Sequence, residues 1–151
     1  MLTVERTQMS EAAAHQMAIV EWMGVPVTVI DDRSSRMAEG EVVIDAMVGY
    51  SLRGELSGGA ALGVELITSG PGSAVVSLDV PSGLAADDGA TGLCVDADAT
   101  VTLCLPKLGL AGRSEVGRLF LADISVPAQV VEGITDGPAP PFHRGPILLV
   151  E

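Results

Sequence analysis

The chain has 151 residues, of which 48% are hydrophobic and 19% charged, and this composition indicates one folded globular domain rather than a disordered chain. Its formal net charge is −12 and its eight lysines and arginines are scattered, which excludes a basic surface of the kind that binds nucleic acid. The absence of any run of about eighteen apolar residues excludes a membrane-spanning helix.

A helix is predicted over residues 10–24, SEAAAHQMAIVEWMG, after a possible short strand at residues 2–5. Ser10 is suited to the N-cap position, and Gly24 follows the last periodic residue as a C-terminal stop. The apolar residues recur near helical spacing, so one face of this helix is expected to be buried. Trp22, near its end, is expected to lie in the core.

Apolar runs bounded by polar residues and glycine predict the other strands of the domain. The first of these runs contains Pro26, which confines the strand to a sheet edge or delays its start. Between the second and third runs, residues 57–70 can form a helix, although their glycines weaken helix formation. The predicted strands are residues 25–30, 41–46, 74–80, 99–105 and 118–124.

The chain divides into a domain over residues 1–136 and a proline-rich tail over residues 137–151, which is expected to lie on the surface as an extended segment. Strands alternate with helical segments along the domain. This alternation predicts an α/β fold in which helices cover the faces of a mostly parallel sheet. Ligands of such open sheets bind beyond the carboxyl ends of the strands.

Polar residues follow three of the predicted strands: Asp45 after VVI, Asp79 and Ser82 after VVSL, and Lys107 after TLCLP. Because the carboxyl ends of parallel strands meet at one edge of a sheet, these side chains are expected to project to one rim. Asp79 is a candidate for general acid–base work, and Lys107 for holding a phosphate or balancing the carboxylates. The alternatives are carboxylates that cap turns and a solvated surface lysine.

Gly49 and Gly54 follow Asp45 and would allow backbone N–H groups of this loop to face a ligand closely. Arg53 lies between them and is a second candidate for a phosphate, or else an exposed arginine. A rim with two carboxylates, glycine turns and two cations suggests a phosphorylated or nucleotide-like small molecule. It does not specify a reaction.

Other chemistries find little support in the sequence. The motif GxSxG is absent and the two histidines, His15 and His143, lie at opposite ends of the chain, so a Ser-His-Asp triad is not expected. The two standard nucleotide-binding loop motifs, GxGxxG and GxxxxGK[ST], are also absent from the sequence. Cys94 and Cys104 form no CxxC motif and are expected to be buried, reduced thiols of a cytoplasmic protein.

Four stretches resemble the YjeF N-terminal domain family, the NAD(P)HX epimerases: VIDAMVGYSLRGEL, VVSLDVPSGLAADDG, DADATVTLCLPKLGL and VGRLFLADISVP. The resemblance implies a Rossmann-like three-layer sandwich that forms a homodimer. It implies an isomerase that interconverts the R and S epimers of hydrated NADH and NADPH (NADHX and NADPHX) in nicotinamide nucleotide repair. It also implies a partner, an ADP- or ATP-dependent dehydratase that acts on the S epimer.

The same resemblance implies roles for individual residues. Asp45 and Ser82 would bind a potassium ion, and Asp79 would be the carboxylate closest to the hydrated nicotinamide, with Lys107 in the same substrate site. Some members have a lysine where this chain has Arg53, which can orient or neutralise a group but is a poor proton donor at neutral pH. The loop that would contact the substrate comprises Gly49, Tyr50, Ser51, Leu52, Arg53, Gly54 and Glu55.

One part of the family pattern has no counterpart in the sequence. Members normally have an earlier strand and a glycine-rich NNGGDG-type loop, which supplies a potassium-binding asparagine and amides for the phosphates. Here Met1 is followed almost at once by what resembles the second strand. The expectation is an N-terminally truncated fold that lacks one βα unit, about 30 residues. The alternative to an epimerase is then a catalytically weak or inactive nucleotide-binding or scaffold protein of the same fold.

Overall fold

The computed structural model describes residues 1–30, 40, 42–70, 72–89, 92–135 and 137–150. The α-helices in these ranges are α1 (Glu11–Trp22), α2 (Gly58–Ser69) and α3 (Ala128–Ile134). None of the helices in the described ranges is long and apolar enough to cross a lipid bilayer. The strands are β1 (Leu2–Thr3), β2 (Thr28–Val29), β3 (Val42–Asp45), β4 (Ala74–Leu78), β5 (Ala99–Leu103), β6 (Arg118–Ala122) and β7 (Ile147–Leu149).

The main sheet has the strand order β3-β4-β5-β6-β7, in which the first four strands are parallel and β7 is antiparallel to β6. The predicted α/β class with a mostly parallel sheet is therefore confirmed. Strands β1 and β2 pair in parallel with each other, with Leu2 opposite Thr28, and form a separate two-stranded sheet. The parallel arrangement brings the carboxyl ends of β3, β4 and β5 to one edge.

Strands β4 and β5 each end two residues earlier than predicted, at Leu78 and Leu103. The residue directly after each strand cannot continue it, because Asp79 has φ 69° and Cys104 has φ 63°. The N–H group two residues beyond each strand end donates back to that strand's last carbonyl, at 2.9 Å after β4 and 2.7 Å after β5. Both strands therefore end in the tight three-residue turn with positive central φ that proteins use rarely.

Helix α1 begins and ends where the sequence indicates. The Ser10 hydroxyl accepts from the Ala13 N–H at 3.2 Å, and Gly24 follows the helix with φ 75°. Met17 is the buried residue of α1, whereas Trp22 is 87% exposed. The expectation that Trp22 lies in the core was wrong, because it occupies the face of α1 that nothing in the described chain covers.

Two apolar clusters form the core. In the first, Val64 of α2 packs with Val75, Val95 and Ala97. The second cluster joins the segment after β4 to the segment between β5 and β6. The first segment contributes Val80, Leu84 and Ala86, and the second contributes Leu110 and Val116. The segment that follows β4 is therefore anchored by its own buried side chains, and this fixes the position of Asp79 and Ser82 at its start.

The C-terminal region contains two elements that the sequence did not indicate. Residues Ala128–Ile134 form α3 directly after Pro127, which occupies the N-cap position. Residues Ile147–Leu149 form β7, so part of the tail completes the sheet as an antiparallel edge strand instead of lying on the surface alone. The boundary between residues 136 and 137 stays a prediction.

Candidate active site

The first part of the site is a buried carboxylate at the end of β3. Asp45 is 1% exposed. Its Oδ2 atom accepts from the Ser77 hydroxyl and from the Ser82 N–H, both at 2.8 Å, and its Oδ1 atom accepts from the Ser82 hydroxyl at 2.6 Å. These donors are all uncharged. Asp45 therefore connects the ends of β3 and β4 through hydrogen bonds from uncharged donors rather than capping only its own turn.

Ser82 is held in this position by the turn it begins. Gly83 has φ 103°, and a Cβ at that position would lie 2.1 Å from the Leu93 carbonyl oxygen. The Ser82 carbonyl accepts from the Val95 N–H at 2.9 Å, which closes the turn against the same segment. The PSG sequence therefore requires its glycine, both for the backbone conformation and for the close approach.

The second part of the site is Asp79, the residue with positive φ at the end of β4. Its Oδ2 atom accepts from the Tyr50 N–H at 3.0 Å, and its Oδ1 atom accepts from Lys107 Nζ at 2.5 Å. Its side chain is 19% exposed. Asp79 thus faces solvent with both carboxylate oxygens already oriented by the protein.

Lys107 approaches Asp79 from the segment that follows the adjacent strand, β5. Besides the carboxylate, Nζ donates to the Thr102 hydroxyl at 3.0 Å and to the Leu103 carbonyl at 2.9 Å. The Lys107 side chain is 14% exposed. The alternative of a solvated surface lysine is therefore wrong, and the geometry matches the predicted role of balancing a carboxylate.

The loop at residues 49–55 closes one side of the site. A Cβ on Gly49 would lie 2.8 Å from Asp79 Oδ2, so the loop backbone is in close contact with this carboxylate. Arg53 instead contacts its own loop, donating to the Leu52 carbonyl at 2.9 Å with its guanidinium 5.9 Å from the centre of the Tyr50 ring. The remaining predicted loop residues, Ser51, Gly54 and Glu55, are exposed.

Two adjoining cavities open beside these residues. The first, the Asp79 cavity, has a volume of about 600 Å³ and is lined by Tyr50, Asp79 and Lys107 together with the exposed Leu108. The second, the loop cavity, has a volume of about 410 Å³ and is lined by residues 52–56 on one side and by residues of the segment after β4, among them Gly83 and Asp87, on the other. Asp87 lines both cavities, so an extended small molecule can contact both.

Two residues that support the site escaped the sequence analysis. Ser77 donates to Asp45 and Thr102 accepts from Lys107, and both are fully buried in strands. A hydroxyl inside an apolar strand is a signal in itself, because buried polar groups require partners. The hydroxyl residues Ser77 in AVVSL and Thr102 in ATVTL give this signal, but the sequence does not show which residue each hydroxyl bonds.

Comparisons with known proteins agree with the predicted resemblance. Residues 1–109 match the family described as YjeF-related protein N-terminus. The NAD(P)H-hydrate epimerase of Dehalogenimonas lykanthroporepellens is 39% identical over 127 residues, which cover 83% of this chain and 50% of that protein. The NAD(P)H-hydrate epimerase of Oenococcus oeni is 39% identical over 127 residues, 81% of this chain and 58% of that protein.

A further relative is the bifunctional NAD(P)H-hydrate repair enzyme Nnr of Thermofilum pendens, 39% identical over 118 residues, 72% of this chain and 22% of that protein. Among solved structures, the yeast protein ynu0, YNL200c, superposes with a TM-score of 0.72 at 16% identity, over 99% of this chain and 64% of that one. This chain spans about half the length of the epimerases it matches. By the match over residues 1–109, the chain belongs to the family of YjeF-related N-terminal domains.

Proposed function

We propose that this chain interconverts the R and S epimers of hydrated NADH and NADPH. The names of the relatives support this activity, since two proteins 39% identical to this chain are NAD(P)H-hydrate epimerases. The observation that carries the proposal is the Asp79 carboxylate, which lies at a cavity of about 600 Å³ with both oxygens held by the protein.

The reaction needs loss and return of the C6 hydroxyl of the reduced, hydrated ring. The ring nitrogen supplies the electron pair that expels the protonated hydroxyl as water and leaves a planar cation. Water then adds to the opposite face of C6 and loses a proton, which inverts that carbon. Asp79 takes the proton from the incoming water and, by microscopic reversibility, gives one to the departing hydroxyl. Its negative charge also stabilises the cation.

The substrate's remaining groups would lie along the loop at residues 49–55. The loop cavity adjoins the Asp79 cavity, which provides space for the part of a dinucleotide away from the reacting ring. Arg53 is exposed on this loop and donates to a backbone carbonyl of the loop, so its charge is available to a phosphate. In this proposal Arg53 neutralises and orients, and Asp79 exchanges the proton.

Asp45 and Ser82 are proposed to bind a potassium ion. The residues fit, because the Asp45 carboxylate is buried among neutral donors, and a buried carboxylate is stabilised by a nearby cation. The Val48 carbonyl lies 3.3 Å from the Ser82 hydroxyl and adds an oxygen of the kind that replaces potassium's hydration shell. When bound, the ion would supply positive charge for the anionic groups of the substrate.

We further propose that the chain forms a homodimer and is located in the cytoplasm. Its proposed functional partner is a dehydratase that acts on the S epimer. The name of the Thermofilum relative, a bifunctional repair enzyme, is consistent with an epimerase working beside a second activity. The homodimer is supported by large apolar side chains on the surface, Trp22 at 87% and Met23 at 66% exposure. Analytical ultracentrifugation of the 151-residue chain tests the dimer directly.

The test of the activity is the rate of R-to-S interconversion of NADPHX by the purified chain in potassium buffer. Chromatographic separation of the epimers measures it against a protein-free blank. We expect a rate well above the blank that Asp79→Ala reduces by about 100-fold or more, as for loss of a group acting in proton transfer. Glu132→Gln is the matched control, because Glu132 is an exposed carboxylate on α3 that lines neither cavity.

Two results would contradict the proposal. One is a rate equal to the blank from a folded sample, which would favour the alternative of a nucleotide-binding or scaffold protein. The other is a rate that falls equally in Asp79→Ala and Glu132→Gln. In that case the activity, if present, would not depend on the carboxylate at the cavity.

A further inference from the structure

We propose that Lys107 is the positioning residue for Asp79 and makes no contact with the substrate. This inference rests on the proposed function, because it assigns Asp79 the proton-exchange role. The sequence suggested that Lys107 contributes to the substrate site. The contacts of its ammonium group point to a different task.

All the donor capacity of Lys107 is directed at the protein. An ammonium has three hydrogens, and Nζ has three acceptors at hydrogen-bond distance: the Asp79 carboxylate, the Thr102 hydroxyl and the Leu103 carbonyl. Thr102 is fully buried, and Lys107 itself is 14% exposed. A substrate phosphate could bind Nζ only by displacing one of these acceptors.

The three acceptors belong to the ends of two neighbouring strands. Asp79 is the central residue of the tight turn after β4, and the Leu103 carbonyl closes the equivalent turn after β5, accepting the Leu105 N–H at 2.7 Å. Non-glycine residues in such conformations persist only where the surroundings hold them. Lys107 contacts both turns at once, so it fixes the carboxyl ends of β4 and β5 relative to each other.

The contacts of Lys107 and Tyr50 also determine which oxygen of the Asp79 carboxylate exchanges the proton with the substrate. Lys107 holds Oδ1, and the Tyr50 N–H holds Oδ2 at 3.0 Å. A charged donor on one oxygen and a weaker neutral donor on the other leave Oδ2 as the better proton acceptor for the substrate. Lysine suits this task better than arginine, because its three hydrogens point in separate directions whereas a guanidinium donates in one plane.

The experiment is a double-mutant cycle on epimerisation of NADPHX with Lys107→Met, Asp79→Asn and the double variant. If Lys107 acts only through Asp79, Lys107→Met alone lowers kcat by about 100-fold and changes KM by less than about 3-fold. In the Asp79→Asn background the same substitution changes kcat by less than about 3-fold. Lys107→Arg is expected to recover part of kcat, and Arg118→Met, an exposed cation on β6, is the control.

Additive effects of the two substitutions on kcat, or a rise in KM at unchanged kcat, would show that Lys107 contacts the substrate directly. Either result would overturn the role proposed for Lys107 and leave the proposed function standing. A wild-type rate equal to the blank would instead overturn the proposed function and the catalytic part of this inference together. Thermal unfolding of the same variants tests the contact between Lys107 and Asp79 independently of catalytic activity. Removing both partners should lower Tm by less than the sum of the two single decreases, and additive decreases would refute the pairing.

Discussion

Gly49 lies so close to Asp79 that a Cβ at position 49 would be 2.8 Å from Oδ2 and 3.4 Å from Cβ of the carboxylate residue. The next residue, Tyr50, donates its N–H to that same oxygen. The backbone of the loop between β3 and α2 is thereby held against the Asp79 side chain at the end of β4. Glycine is needed at position 49 because of this contact, whereas a merely flexible loop would tolerate any small residue.

Gly49→Ala is therefore expected to impair the site. The added methyl group meets an oxygen held by Lys107 and Tyr50, so either the loop or the carboxylate must move, and a displaced catalytic group typically costs about 10- to 100-fold in kcat/KM. Epimerisation kinetics measure the loss. Gly133→Ala is the control, since nothing lies within 4 Å of a Cβ on Gly133 in α3. Equal effects of the two substitutions would refute the steric argument.

Asp45→Asn is expected to destabilise the fold by about 2–4 kcal/mol, because it removes a buried charge-assisted hydrogen-bond acceptor. The NH2 group of an asparagine must replace either Oδ2, to which the Ser77 hydroxyl and the Ser82 N–H now donate, or Oδ1, to which the Ser82 hydroxyl donates. Urea denaturation measures the free energy of unfolding. Asp96→Asn, at an exposed carboxylate, is expected to change it by less than about 0.5 kcal/mol.

The candidate site was predictable where it depends on topology. Parallel strands place their carboxyl ends at one edge, and there Lys107 contacts Asp79 while Asp45 contacts Ser82. The connection of Asp45 to Ser82 follows from the same rule, because β3 and β4 are neighbours. The apolar runs and the alternation of strands with helices predict only the shared rim, whereas the association of Asp45 with Ser82 was implied by the family resemblance.

The partners and backbone conformations were not predictable. That Asp45 lies opposite Ser77 depends on the strand register, which alternating apolar runs leave open when both faces are apolar. The positive φ of Asp79 is unfavourable for a non-glycine residue and arises only because tertiary contacts hold it. Trp22 was misplaced for a related reason, since periodicity locates an apolar helix face but not whether another element covers it.

Val64→Ala tests the core that supports the loop between β3 and α2. Val64 is fully buried on α2 and packs against Val75 of β4, so truncation leaves a cavity and should cost about 2 kcal/mol of unfolding free energy. Val130→Ala, at a half-exposed valine of α3, is expected to cost less than about 0.5 kcal/mol. Similar midpoints for the two variants in urea would contradict the assignment of Val64 to the core.

Potassium is expected to raise the thermal stability of the chain if Asp45 and Ser82 bind it. Binding to the folded state alone adds about 1.4 kcal/mol at a concentration about ten times the dissociation constant, or about 2–5 °C in Tm. Scanning calorimetry in potassium chloride and in tetramethylammonium chloride at equal ionic strength separates binding from screening. Ser82→Ala removes a proposed ligand and should abolish the difference, whereas Ser114→Ala, at an exposed serine, should retain it. Equal Tm values for the wild type in both salts would exclude the site, because no ligand that prefers the folded state can leave Tm unchanged.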